Sequence, residues 1–191
     1  MTDVQTPALS IQDRYFAGLR CFGCGPANER GLQLKSYPAD GGTVATFTPW
    51  PEHDNGLGYL NGGIISTVLD CHSAAAVLWE ANQRQWEPLP GAALAYVTAG
   101  LDVRFLRPSP LSSAVELRAQ VGDANESQMT CEVELKWDGK VRGSAEAITT
   151  DDGQSIIVIH PETVWSWALN PEGGTHMGGR IGKRDFSEPV D

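Results

Sequence analysis

The residues Asn61-Gly62-Gly63-Ile-Ile-Ser-Thr-Val-Leu-Asp70 join a pair of glycines to an apolar run that carries one carboxylate. Read as a helix opening at Gly62, this segment presents backbone N–H groups that no helical carbonyl accepts and no side chain crowds, a geometry able to hold an oxyanion. Asp70 follows roughly two turns later. A carboxylate there gains nothing from the helix dipole and lowers helix propensity. It is either a solvated surface residue or a group placed for acid–base chemistry. A second candidate is Cys21-Phe-Gly-Cys24, which has the C-x-x-C spacing of a zinc or redox site. No second such pair exists, so a closed zinc site built from two pairs is not available within one chain. A redox motif belongs at a helix N-terminus after a strand, whereas this one runs into the turn Gly25-Pro26-Ala27-Asn28. The pair is read as thiols in a structured loop, and no metal is expected.

The elements that must position these residues follow from periodicity and turn chemistry. Ser10 caps a short helix over Ile11–Leu19, with Asp13 in its first turn. Leu32–Tyr37 alternates as a strand, Asp40-Gly41-Gly42 is a hairpin signal, and Thr43–Thr48 returns as a second strand. Asn61 can cap a helix running from Gly62 to near Ala81. At about 100° per residue, Ile64, Ile65, Val68, Leu69, Ala75, Ala76 and Trp79 share one broad arc with His72 in its middle. Ser66, Asp70, Ser73 and Val77 gather on the other side. Asp70 and His72 therefore cannot form a dyad on this helix, and His72 is expected in the core with its ring nitrogens hydrogen-bonded. Residues 82–91 form a connection. Strands follow over Ala93–Leu106, Ala114–Val121, Ser127–Lys136 and Val141–Thr149, the last two joined by the turn Asp138-Gly139. Two strands, one long helix and a four-stranded meander suit an α+β architecture with an antiparallel sheet packed around a single helix. Beyond Asp151, Ser155–His160 reads as a strand, Glu162–Leu169 as a short helix, and Asn170–Asp191 as an extended or disordered arm. Three segments result: an extension over 1–19, a domain over 20–150 and a tail over 151–191.

Composition bounds the function. The chain has 191 residues, a hydrophobic fraction of 41% and a net charge of −10. Such an acidic protein is a poor partner for nucleic acid or anionic membrane. No apolar run approaches the roughly 18 residues of a bilayer span, and the first residues lack the pattern of a signal peptide, so a cytoplasmic location is expected. Four cysteines are too few for a disulfide scaffold at this length.

With these elements in place, the stretch Asn55–Asp70 resembles the hotdog-fold acyl-CoA thioesterases of the PaaI-like type. Their pattern is an Asn, a His-Gly-Gly six residues later and an Asp nine residues after that His. Asn55, Asn61-Gly62-Gly63 and Asp70 stand at those spacings. The loop Cys21–Asn28 through Gly31-Leu32 is similar to the segment before the first strand of many members, and Phe105-Leu-Arg-Pro108 resembles the end of one of their strands. Thr98 falls where some members carry Ser or Thr. The resemblance spans roughly Arg20 to Thr149. It implies a hotdog fold, an antiparallel sheet wrapped around one long central helix. It also implies a homodimer with a continuous sheet, or a dimer of dimers, and an active site at the dimer interface where Asn55 and Gly62 of one protomer face Asp70 and Thr98 of the other.

The activity implied is hydrolysis of an acyl-CoA or acyl-carrier thioester. Asp70 is the general base or nucleophile, the Gly62 N–H the oxyanion donor, and Asn55 and Thr98 position water or carboxylate. No cofactor is needed, because coenzyme A is part of the substrate. Gly63 and Tyr59 are expected along the substrate, with Trp50 or Trp79 near it, and Arg104, Arg107 and Arg142 are candidate phosphate contacts. The departure is Asn61, which can donate a hydrogen bond but cannot titrate; it is either a site residue or simply a helix cap. A non-hydrolytic acyl-CoA-binding hotdog protein is the main alternative. A hotdog hydratase or dehydratase, for which only His53 and Asp54 offer a pair, is the lesser one.

Overall fold

Ser10 begins the first helix by accepting the Asp13 N–H at 3.0 Å, as an N-cap serine does. The helix α1 is Ile11–Tyr15. It stops short of Leu19 because the chain turns at Ala17-Gly18 and the Leu19 carbonyl accepts from Ala27 N at 3.0 Å instead. The computed structural model describes residues 9–86 and 96–151, and the backbone of three further strands within 155–160, 163–169 and 175–177. Strand β1 is Ser36–Ala39 and β2 is Gly42–Phe47. Residues 32–35, expected in the first strand, lie before it because Gln33 adopts a φ of +53°. Leu32 N and Leu34 N bond instead to the carbonyls of Phe22 and Gly23. The hairpin turns on Gly41, whose φ is +70°, a conformation that favours glycine.

A 3-10 turn, Pro51–His53, leads to α2, the helix Gly62–Gln83. Strands β3 (Tyr96–Phe105), β4 (Val115–Ala124), β5 (Gln128–Trp137) and β6 (Lys140–Asp151) follow. They make one antiparallel six-stranded sheet in the order β1-β2-β4-β5-β6-β3, packed against α2. The fold is α+β and hotdog in type. In β4, Val115, Leu117 and Ala119 are buried while Glu116, Arg118 and Gln120 are exposed, the period-two signature of a sheet with one face covered. Met129, Cys131, Val133 and Leu135 do the same on β5. They meet Val68, Leu69, Ala76 and Val77 of α2 in one core. Truncating a leucine such as Leu69 or Leu117 to Ala in such packing costs about 2–5 kcal/mol.

Helix α2 is buried further round than one arc: Ser73 and Val77, on the side shared with Asp70, are fully covered. By length and composition alone it could cross a membrane, with a mean hydropathy of 1.2 over its best window. Its apolar side chains are instead spent on the sheet. Trp79, expected in the core, is only half-buried.

Beyond the main sheet, β7 (Ser155–His160), β8 (Thr163–Leu169) and β9 (Thr175–Met177) form a separate antiparallel sheet. The helix expected over Glu162–Leu169 is thus corrected to a strand. Thr163-Val-Trp-Ser-Trp-Ala-Leu is rich in β-branched and aromatic residues, which favour a pleated surface, and it pairs with β7 from His160↔Thr163 to Ser155↔Ala168. The expected arm over Asn170–Asp191 contains β9; its remaining residues, like residues 1–8 and 87–95, lie outside those described.

His72 is fully buried, as its place on the helix predicts. Its Nδ1 lies 2.9 Å from Ser36 Oγ and its Nε2 3.3 Å from the Thr43 carbonyl. Ser36 in turn receives Gln12 Nε2 at 3.0 Å and donates its N–H to Gln12 Oε1 at 2.8 Å. Since the Thr43 carbonyl can only accept, Nε2 carries the ring proton and Nδ1 accepts from the Ser36 hydroxyl. A second ring proton would displace that donor. Burial holds the His72 pKa down at about 4, against 6.5 for the free side chain, with the Thr43 carbonyl pulling weakly the other way. A depressed histidine pKa contributes stability that is complete above the unfolded value and is lost as pH falls toward the folded one. The difference is worth roughly 3 kcal/mol. In denaturant unfolding between pH 7 and 4, His72→Gln is expected to lose stability less steeply than the native chain. Parallel curves would remove His72 from the acid response.

Candidate functional site

Asp70 lines a cavity of about 290 Å³ enclosed by α1, the loop after it, α2 and the start of β3, together with Phe16, Leu19, Cys21, Cys71 and Thr98. One carboxylate oxygen, Oδ1, is covered and has no hydrogen-bond partner. Burial raises the Asp70 pKa above the usual carboxylate range; the nearby Thr98 hydroxyl pulls it back and the Cys21 sulfur adds to the rise. Loss of hydration disfavours the charged form, so this carboxylate is a stronger base than one on the surface. Thr98 is set there by β3, which pairs with β6 from Tyr96↔Asp151 and is interrupted by a bulge between Thr98 and Gly100. Such an interruption re-aims the side chains around it.

Gly62 lies elsewhere, in an open groove of about 460 Å³ with Asn55, Leu57, Tyr59, Phe105 and Arg107. Asn61 is the N-cap of α2: its Oδ1 accepts the Gly63 N–H at 2.7 Å, and its own N–H is held by the His53 carbonyl at 2.8 Å. The Gly63 N–H is therefore already engaged. That of Gly62 has no hydrogen-bond partner among the described residues, so it is a free donor at this helix end. A side chain at Gly62 would meet the Phe105 ring at 3.3 Å, so glycine keeps the donor accessible. Asn55 organises its own loop, its Oδ1 accepting from Leu57 N at 2.9 Å and Tyr59 N at 3.3 Å.

The sequence-derived residues thus fall into two groups. Gly62, Asn55, Tyr59 and Arg107 share the groove, with Asn61 capping the helix beside them. Asp70 and Thr98 share the cavity. Arg107 is exposed, its Nη1 anchored to the Val141 carbonyl at 2.8 Å. The other two arginines line neither space. Arg104 is exposed and 3.7 Å from Asp102. Arg142 spends its Nη1 on the Pro108 carbonyl at 3.1 Å and stacks 4.7 Å over Trp137. Trp50 and Trp79 also line neither. Sequence reasoning missed Cys71, whose place directly after Asp70 on the helix is the signal that could have found it.

A larger open groove of about 660 Å³ runs along β1, β2 and β4. Its lysines are paired, Lys35 with Asp13 at 2.6 Å and Lys136 with Glu134 at 2.5 Å, and it holds neither the Asp70 carboxylate nor the free helix end. His53 and Asp54 offer no acid–base pair. His53 is buried, stacked on Phe47 and tilted against Trp50, and burial lowers its pKa. Asp54 Oδ1 accepts the N–H groups of Gly56 and Gly58.

A hotdog domain with a bare glycine N–H at the helix start and a desolvated aspartate along the same helix defines a class, and comparison agrees. Residues 57–143 match the Thioesterase superfamily, and the chain shares its hotdog fold with solved proteins of that superfamily and of PaaI type. Among solved structures, a thioesterase superfamily protein from Shewanella loihica is 26% identical, with a TM-score of 0.51 over 65% of this chain and 96% of that one. The PaaI protein of E. coli, from the phenylacetic acid degradation operon, is 21% identical, with a TM-score of 0.52 over 64% and 81%. A further thioesterase superfamily protein is 24% identical with a TM-score of 0.54 over 65% of this chain, which spans 59% of its length. No curated protein matches significantly.

Because Asn61 caps α2, Asn61→Ala should destabilise the fold by about 1 kcal/mol in denaturant unfolding, and Asn61→Ser should restore most of the loss.

Proposed function

We propose that the chain hydrolyses acyl thioesters in a groove formed between two copies, the free Gly62 N–H coming from one and the Asp70 carboxylate from the other. One observation carries the reading. Gly62 and Asp70 lie on the same continuous helix, and eight residues at 1.5 Å each hold them about 12 Å apart. A carbonyl oxygen and the water attacking its carbon must both lie about 3 Å from their catalytic partners. The two groups also open into separate spaces, the cavity and the groove, so one chain does not present both to one thioester, whereas an antiparallel second helix can bring them together.

Two further features support the pairing. Strand β3, ten residues long, ends the main sheet with β6 as its one ladder partner among the described residues, and β7 of the same chain packs beside it. Leu57, Tyr59, Phe105 and Leu106, around the Gly62 groove, are all exposed; an apolar patch of this kind marks an interaction surface.

In the reaction, Asp70 takes a proton from water and the resulting hydroxide attacks the thioester carbon. The carbonyl oxygen becomes an oxyanion held by the Gly62 N–H. Collapse breaks the C–S bond, and Asp70 returns its proton to the departing sulfur, leaving a carboxylic acid and a thiol. Asn55 has its Nδ2 group free to hold the water, Thr98 steadies Asp70, and Tyr59 borders the acyl path. Arg107 is the cation at the groove for a phosphorylated carrier such as coenzyme A. A protein that only binds thioesters would leave the covered, unpartnered oxygen of Asp70 without a role.

Asp70→Asn is expected to lower acyl-CoA turnover by about a hundredfold or more, read as thiol release, with the dimer retained in sedimentation. Mixing Asp70→Asn chains with Gly62→Leu chains after subunit exchange should regain activity, because half of the mixed dimers' sites are intact. Absence of any regain, with exchange demonstrated, would place both groups in one chain and overturn the shared site.

A further inference from the structure

Three of the four cysteines meet where the loop after α1 crosses α2. The sulfurs of Cys21, Cys24 and Cys71 lie within 4.8 Å of one another, and the Cys21–Cys71 separation is 3.7 Å. A zinc ion with bonds of about 2.3 Å to sulfur, at tetrahedral angles, sets its thiolates roughly 3.8 Å apart. One edge of the triangle is already there, and even a 4.8 Å edge would have to close by only about an ångström. A disulfide needs two sulfurs at about 2.05 Å and leaves the third without a partner.

The loop is shaped for this purpose. The N–H groups of Gly23 and Cys24 turn toward the Cys21 sulfur, and Gly25 N closes the turn on the Cys21 carbonyl at 3.0 Å. A Cβ at Gly23 would stand 2.3 Å from Cys71 Sγ, and one at Gly25 2.3 Å from Cys21 N. Glycine at both places is what lets the loop approach the helix so closely. The hydrogen bonds from Leu32 N and Leu34 N to Phe22 and Gly23 fix the loop from its other side. Contact with the Cys71 thiol and those backbone donors hold the Cys21 thiol down at about 5, against the opposing effect of burial, while the Cys71 thiol is pushed up.

We propose that Cys21, Cys24 and Cys71 bind one zinc ion as three thiolates, clamping the loop to α2, with water from the adjoining cavity in the fourth position. Three sulfur–zinc bonds form as the thiols give up their protons to solvent, and the zinc–trithiolate unit carries one negative charge. The cavity is the one that Asp70 lines, so the clamp fixes one wall of it. The proposal does not depend on thioester hydrolysis.

The test uses the untagged full-length chain, fully reduced, and zinc itself. About one zinc per chain is expected to survive dialysis. Cobalt(II) substitution should give intense thiolate-to-cobalt absorption in the near ultraviolet and tetrahedral d–d bands. Cys21→Ser, Cys24→Ser and Cys71→Ser should each weaken binding at least about tenfold, the scale on which perturbing even an outer-shell partner lowers metal affinity. Cys131→Ser should bind as the native chain does, since that buried thiol, held up at about 12, is not in the cluster. A reduced native chain that binds no zinc, or zinc binding indifferent to Cys71→Ser, overturns the site. The direct titration of the native chain stands even if a variant fails to fold.

Discussion

The rest of the molecule depends on the burial of α2 against the sheet. Val68, Leu69 and Val77 are fully excluded from water, and their contacts with β4 and β5 fix both the rotation and the height of the helix. Everything of chemical interest is mounted on this one rod or reaches toward it: the free donor at its start, the carboxylate along it, the thiol beside that carboxylate and the imidazole on its far side. A close-packed interior yields little to compression, so the helix is held firmly and the spacing of these groups is a property of the helix and not of any loop.

Polar groups on the helix are treated in opposite ways. The His72 side is closed, with both ring nitrogens engaged through Ser36 and Thr43 and the chain extended to Gln12. The Asp70 side is left incomplete, with a covered oxygen that nothing satisfies. Leaving a buried acceptor unpaired costs about 1–3 kcal/mol; Thr43 Oγ1, Ser109 Oγ and Arg142 Nε are also left so, and Asp70 Oδ1 is the one carboxylate oxygen among them. The contrast lies within two residues of one helix, so it reflects the surroundings that the sheet and the N-terminal loop provide.

Much of this was legible in the sequence. The helix, the hairpin at Asp40-Gly41, the turn at Asp138-Gly139 and the buried His72 all follow from periodicity and local turn chemistry, which act over a few residues. The separation of Asp70 from His72 on the helix is also geometric and needs only the 100° step. What was not legible depends on contacts distant in sequence. The helix over Ile11–Leu19 ends early because a carbonyl finds a partner at Ala27. The first strand starts late because Gln33 turns the backbone to meet the loop before it. Glu162–Leu169 reads as a short helix in isolation, whereas pairing with β7 decides for a strand. Arg104 and Arg142 look like ready cations in one dimension, yet neither borders the groove. Cys71 lies some fifty residues from the Cys21–Cys24 pair, and no spacing rule joins them.

The two edges of the main sheet are unequal. The β1 edge is four residues long and contains Pro38, which has no N–H to offer a neighbouring strand. The β3 edge is ten residues long and has no proline. Growth of the main sheet by adding further chains needs a receptive border on both sides, and β1 is a poor one. Two copies that join through β3 present only their blunt borders outward, so the assembly is self-limiting, and the fold resists the endless lateral stacking to which exposed strands are prone.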